Sequence, residues 1–326
     1  RCVGLFDRCA EHSYLDNVLE MIAEARSADA DCLVTVGGGT PIDSTKIVQI
    51  GLREGVEDLE TLRRYGAGLV PPETMLQAQP VVTPQIVVPT TLSAAEFWAG
   101  GGGTDPATRR KGMFIAPGTG PRSILFDPAL TTHTPEKLLL SSGIRSVDHA
   151  VEGFASPRSF AAISEQFLGS MRLIAQGLRA MKADPGDDEA HALTYQGVWL
   201  SADGRRQVSM GASHGLGYVL GAAFGVAHSL TSCVLLPAVL AWSRDALGDK
   251  DAAMADALGS PGDTASAAMA RLIGDLGLPT RLREVGIEAD RFEEIAELAL
   301  HVPPVRANVR PVTTSEDVLE ILALAA

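Results

Sequence analysis

The chain has 326 residues, of which 46% are hydrophobic and 21% charged, with a formal net charge of −13 at pH 7. That length favours two domains, the composition excludes intrinsic disorder, and the acidic balance excludes a binder of nucleic acid or anionic membrane, since both need a basic face. Four scattered cysteines, Cys2, Cys9, Cys32 and Cys233, show neither CxxC nor zinc-ribbon spacing, which points to a soluble, reduced, cytoplasmic protein without disulfides or structural zinc.

Residues 2–6 form an apolar run of strand character. Residues 14–26 carry Leu15, Val18, Leu19 and Ile22 at helical spacing, and residues 32–36 are a second apolar run closed by glycines. This βαβ rhythm predicts a parallel sheet, with the opening strand of the domain expected before Arg1. A further strand is expected at residues 85–88, then a polar, glycine-rich section through Arg110 and a hairpin over residues 111–125. From Pro135 onward apolar residues recur every three or four positions, over residues 138–154, 161–181, 190–200 and 265–278. The expected division is therefore an α/β domain, 1–134, followed by an all-α domain, 135–326. Residues 211–243 contain no Asp, Glu, Lys or Arg, but His214, Tyr218, His228, several glycines and Pro237 interrupt them. Two buried helices meeting at a turn fit that stretch better than a membrane span.

The turn Val34-Thr-Val-Gly-Gly-Gly-Thr-Pro-Ile-Asp-Ser-Thr-Lys46 follows a buried strand and opens a helix, with Pro41 suited to a first helical turn. Three glycines let a phosphate approach the backbone, and a helix N-terminus offers it unpaired N–H groups. The turn is neither GxGxxG nor a Walker A loop, and by itself an ordinary tight turn explains it equally well. A second loop, Val88-Pro-Thr-Thr-Leu-Ser, again follows a strand, where open α/β sheets place their ligands. Together the two loops point to a nucleotide site. Among the histidines, His149 sits in Gly143-Ile-Arg-Ser-Val-Asp-His-Ala-Val-Glu152, while His214 and His228 are fourteen residues apart. A single histidine in an apolar setting is more often a hydrogen-bonded core residue than a ligand, and spacing alone does not show whether the three converge.

The glycine turn, Pro89-Thr-Thr, Phe126-Asp-Pro-Ala-Leu, His149-Ala-Val-Glu152, the His214 and His228 pair and Asn308-Val-Arg-Pro-Val-Thr resemble, in that order, the iron-containing alcohol dehydrogenase superfamily. Residues 89–97 and 145–152 are most similar to the branch that includes maleylacetate reductase. The resemblance implies a homodimeric oxidoreductase using NAD or NADP, with substrate and metal between an α/β dinucleotide-binding domain and a helical domain. It puts Gly37, Gly38, Gly39 and Asp43 in the pyrophosphate loop, Thr90, Thr91 and Leu92 beside the phosphates and nicotinamide, and His149, His214 and His228 among the ligands of an iron or zinc ion.

Two positions depart from the family pattern. Where metal-binding members carry an aspartate one turn before the first ligand histidine, this chain has Arg145, and a further histidine position is occupied by Tyr218. Asp148, adjacent to His149, is expected to face elsewhere. A fixed guanidinium near a divalent ion costs several kcal/mol at an effective dielectric near 20, which argues against a metal and for Arg145 as the electrophile acting on a small anionic oxoacid. In that scheme Arg145 with His149, His214 or His228 stabilises the oxyanion, and a histidine or Tyr218 donates the proton. The plainer role for Arg145 is a salt bridge to Asp148 or Glu152. A metal-dependent alcohol dehydrogenase, a dehydroquinate synthase-like lyase and a non-catalytic nucleotide-binding relative are the competing functions.

Overall fold

Leu15, Val18 and Ile22 recur at helical spacing because they form the buried face of α1 (Leu15–Ser27). They pack against Ile47 and Ile50 of α2 (Gly39–Glu54), which follows the strand β1 (Leu33–Gly37). In the computed structural model, which describes residues 1–326, these elements belong to the first of two units, Arg1–Asp127. Helix α3 (Leu59–Arg63) is capped by Asp58, whose carboxylate accepts the Thr61 N–H, and leads into β2 (Gly66–Ala67). The parallel sheet has the order β1, β3 (Gln85–Pro89), β6 (Pro121–Ile124), with Val34 opposite Ile86 and Gly37 opposite Pro89. A second, antiparallel sheet has the order β2, β5 (Lys111–Phe114), β4 (Gly101–Thr104).

Three expectations need correction here. Residues 2–6 form no strand, and Val3 and Leu5 are exposed, because no neighbouring strand supplies the ladder hydrogen bonds that an extended backbone needs. Residues 111–125 are not a hairpin: β5 pairs in the antiparallel sheet, whereas β6 runs parallel to β3, after a turn through Gly118 and Gly120 at positive φ. The glycine-rich section contains β4. Its glycines permit close approach to α2, since a Cβ on Gly101 would stand 2.6 Å from the Asp43 carbonyl oxygen.

The second unit, Pro128–Ala326, begins with α4 (Pro128–Thr131), seven residues ahead of the expected boundary. It sits on α7 (Asp188–Arg205), where the Thr131 hydroxyl and His191 Nδ1 are 2.6 Å apart. Helix α5 (Glu136–Ala155) is buried from Leu139 to Ala155 and packs against α6 (Ala161–Ala183), α7 and α9 (His228–Leu247). A helix buried on every side is core. The uncharged stretch around 211–243 is α8 (Ala212–Phe224) and α9, joined at Gly225 with φ +70°. Alone among the helices α9 is long and apolar enough to cross a membrane, yet 67% of its most apolar window is buried within the protein. Leu216 and Leu220 of α8 and Val234 and Leu235 of α9 share one core with helices the periodicity did not single out. After α10 (Asp249–Ala257) and α11 (Ala265–Asp275), that core takes in Ile295 of α12 (Phe292–Ala299), Val305 of α13 (Pro303–Arg306) and Ile321 of α14 (Ser315–Ala325).

Candidate active site

In the first unit β1 and β3 end side by side, and the Thr90 N–H donates to Gly37 O at 3.0 Å, tying the threonine loop to the glycine turn. Gly38 is the N-cap of α2, so no side chain caps the first turn, and that turn holds no acidic residue. A long helix with such an N-terminus suits an anion, and the residues present fit a dinucleotide pyrophosphate. A Cβ on Gly38 would lie 2.8 Å from Thr91 Cγ2 and 3.0 Å from its Oγ1. Gly38 thus sets the spacing of the two loops, and Thr91 Oγ1 in turn donates to Ser93 Oγ at 3.2 Å. Gly39 begins α2, while Gly37, at φ +151°, has Pro41 close behind its Cα.

Two residues expected at the cofactor do other work with their side chains. That of Leu92 is buried in the core. The Asp43 carboxylate accepts from Lys46 Nζ (3.0 Å) and from the Gly102 N–H (3.1 Å), clamping β4 to α2. A carboxylate is in any case repelled by a pyrophosphate.

In the second unit Arg145, Asp148, His149 and Glu152 stand at i, i+3, i+4 and i+7 on α5, one stripe of the helix, and all four are buried. His214, on the first turn of α8, is fully buried; its Nδ1 donates to Glu152 Oε2 at 2.7 Å and lies 3.4 Å from Asp148 Oδ2. Glu152 also accepts the Gly211 and Ser213 N–H groups, each at 2.7 Å, and so places a negative charge at the N-terminus of α8. Asp148 Oδ2 accepts from Ser213 Oγ (2.8 Å) and Ser232 Oγ (2.6 Å) and lies 3.6 Å from Arg145 Nη1, which donates to Ser232 Oγ at 2.9 Å. Asp148 therefore faces into the cluster, contrary to expectation. Neighbouring residues on a helix are about 100° apart, and the buried stripe is wide enough to hold both.

The His149 ring stacks on His214 with centroids 4.8 Å apart and planes at 28°, and its Nε2 is 3.2 Å from Nη1 of Arg205 at the end of α7. Tyr218 meets His214 edge-on at 6.4 Å and His228 at 6.3 Å, and Arg145 Cζ is 5.8 Å from the Tyr218 ring centre. The candidate residues Arg145, His149, His214, Tyr218 and His228 are thus brought together as a string, with His228 beyond Tyr218. Burial, reinforced by Arg205, His214 and Arg145, holds His149 well below the usual histidine range. Burial pushes Asp148 upward, but His214, Arg145 and Ser232 outweigh it and leave its carboxyl below the ordinary value.

The metal expected from the resemblance does not fit these residues. The His149, His214 and His228 set is not a ligand cage: the group whose ligand atoms lie within 4.8 Å of one another is Asp148, Glu152 and His214. In that group Asp148 Oδ2 and both Glu152 oxygens already accept hydrogen bonds, leaving Asp148 Oδ1 as the one unpartnered carboxylate oxygen, and His214 presents an N–H to them. His214 Nε2 is buried without a hydrogen-bond partner and faces away from its Nδ1 contacts. A divalent cation beside Asp148 would also meet the Arg145 guanidinium, a repulsion of about 8 kcal/mol at 4 Å and an effective dielectric of 20. Arg205, Ser213 and Ser232 escaped the sequence reading because each lies on a helix whose neighbours are set only by tertiary packing.

Residues 1–128 match the family described as iron-containing alcohol dehydrogenase, and residues 139–326 match its C-terminal counterpart, the Fe-containing alcohol dehydrogenase family, C-terminal. Dehydrogenase FUM7 of Gibberella moniliformis is 32% identical over 99% of this chain and 84% of its own length. A maleylacetate reductase of Sphingobium indicum is 28% identical over 100% of this chain and 82% of its own. Among solved structures, maleylacetate reductase from Agrobacterium tumefaciens superposes with a TM-score of 0.81 at 25% identity, covering 99% of this chain and 82% of that one.

Proposed function

The chain belongs to the iron-containing alcohol dehydrogenase family and is an oxidoreductase, and from that premise we propose that it reduces a small anionic oxoacid, of the maleylacetate type, by a route that needs no divalent metal. The carrying observation is Arg145, a guanidinium buried to 8% exposure on the stripe where metal-binding relatives are expected to have an aspartate, and held there by Ser232 and Asp148.

A reduced nicotinamide, when bound, supplies the hydride. The uncapped N-terminus of α2 with the Thr91 and Ser93 hydroxyls would hold its pyrophosphate. The Arg145 guanidinium has N–H groups beyond Nη1 with which to bind the carbonyl oxygen as it becomes an oxyanion. Tyr218 is 37% exposed, whereas His149 and His214 are 2% and 0% exposed, so Tyr218 is the hydroxyl a substrate reaches and it donates the proton to the product oxygen. The two buried histidines act by position, keeping Glu152 and Arg205 in place.

The test is the decay of reduced-nicotinamide absorbance with a panel of oxoacids, using NADH and NADPH in turn, on protein before and after exhaustive chelation. Sustained turnover that survives chelation is the expected result. Loss of activity on chelation, restored by added metal, would return the chain to metal-dependent alcohol dehydrogenases. A lyase that uses its cofactor transiently would give no net absorbance change.

A further inference from the structure

Arg205 closes the end of α7, and its Nη1 lies 3.2 Å from Nε2 of His149. A guanidinium nitrogen can only donate a hydrogen bond. His149 Nε2 is therefore the acceptor, and the ring's proton sits on Nδ1, an atom that is buried without a hydrogen-bond partner. His214 donates its Nδ1 proton to Glu152, and its Nε2 is buried without a hydrogen-bond partner. An imidazole takes a cation through a nitrogen lone pair, and a neutral ring has one. That of His149 is occupied by Arg205.

We propose that Arg205 is a positioning residue that fixes the tautomer of His149 and, with Arg145, closes this site to divalent cations. It follows that reversing the arginine on α5 alone does not rebuild a metal centre, because the first histidine keeps its lone pair turned to a second arginine. The proposal rests on the metal-independent assignment of Arg145 above, but it is read from metal binding rather than turnover, so failure of the oxoacid assay and failure here are separate events.

Co2+ alone is the probe, titrated by calorimetry and by its visible absorption into the full-length protein and the variants Arg145→Asp, Arg205→Met and the double variant. Methionine keeps the length and removes the donor. The unaltered protein and Arg205→Met should bind no stoichiometric Co2+, and the double variant should bind at least tenfold more tightly than Arg145→Asp. Equal affinity of Arg145→Asp and the double variant, or stoichiometric binding by the unaltered protein, overturns the proposal. A second measurement needs no variant on the arginines: ring 15N shifts of His149, assigned by their disappearance in His149→Gln, should show Nδ1 protonated and Nε2 not. The reverse pattern overturns it even if the double variant fails to fold.

Discussion

The glycine turn of the first unit and the arginine–histidine cluster of the second are both candidate binding sites, and they are made of different material. The turn is backbone: an uncapped helix end, a glycine spaced from Thr91, and a loop tied by the Thr90 N–H to Gly37 O. The cluster is side chain, assembled from α5, α7, α8 and α9, with each charge balanced by another a few ångströms away. A backbone site can lose one side chain and keep its dipole. A side-chain cluster cannot lose a charge without stranding its partner.

The largest effect should come from Arg145. Arg145→Ala removes the cation beside the developing oxyanion, a change on the order of 100-fold or more in kcat, and it takes from buried Asp148 one of the groups that offset its burial, at a cost of up to about 3 kcal/mol in stability. Arg145→Lys separates the two, restoring most of the stability while kcat stays low. A kcat near that of the parent in either variant would make Arg145 a structural residue only. Next comes Tyr218→Phe, expected to lower kcat by about 100-fold, the lower bound for a lost general acid, with cofactor Kd unchanged.

Gly38→Val sharpens the contrast from the other side. Its Cβ would drive into Thr91, and cofactor affinity should fall roughly tenfold, about 1.4 kcal/mol, with kcat at saturating cofactor preserved and with partial recovery in Gly38→Val/Thr91→Ser, which removes Cγ2 and keeps the hydroxyl. A change in kcat rather than in cofactor Kd, read by fluorescence titration, would contradict the division of labour. The smallest effect belongs to a helix cap that is part of neither site. Thr264 Oγ1 accepts the Ala267 N–H at the start of α11, and Thr264→Ala should cost about 1 kcal/mol in denaturant unfolding with no change in either kinetic constant.

The same contrast explains what could be read from the sequence. Leu15, Val18 and Ile22 announce a helix because periodicity is local, and the glycine turn announces itself because a strand, three glycines and a helix start are contiguous. Helices α5, α6, α7 and α11 of the second unit were legible for the same reason, whereas α10 and α12 to α14 were not singled out. Where partners are distant in sequence, legibility failed: residues 111–125 look like a hairpin until β5 and β6 join different sheets, and Arg205 is one more charge at a helix end until α7 is laid on α5. Asp148 marks the middle case. Its helix was evident, but its direction depended on how wide a face the surrounding helices bury.

Lys46 is 0% exposed, and its ammonium is taken up by Asp43 Oδ1, Ala95 O and Gly100 O. Those contacts hold the segment just after the threonine loop against α2. An amine so enclosed is inert to acylating reagents until the segment lifts away, which makes its acetylation rate a clock for local opening of the first unit. Surface lysines would be modified at once. Lys46 would follow at the opening rate, and a bound dinucleotide that clasps both loops would slow it.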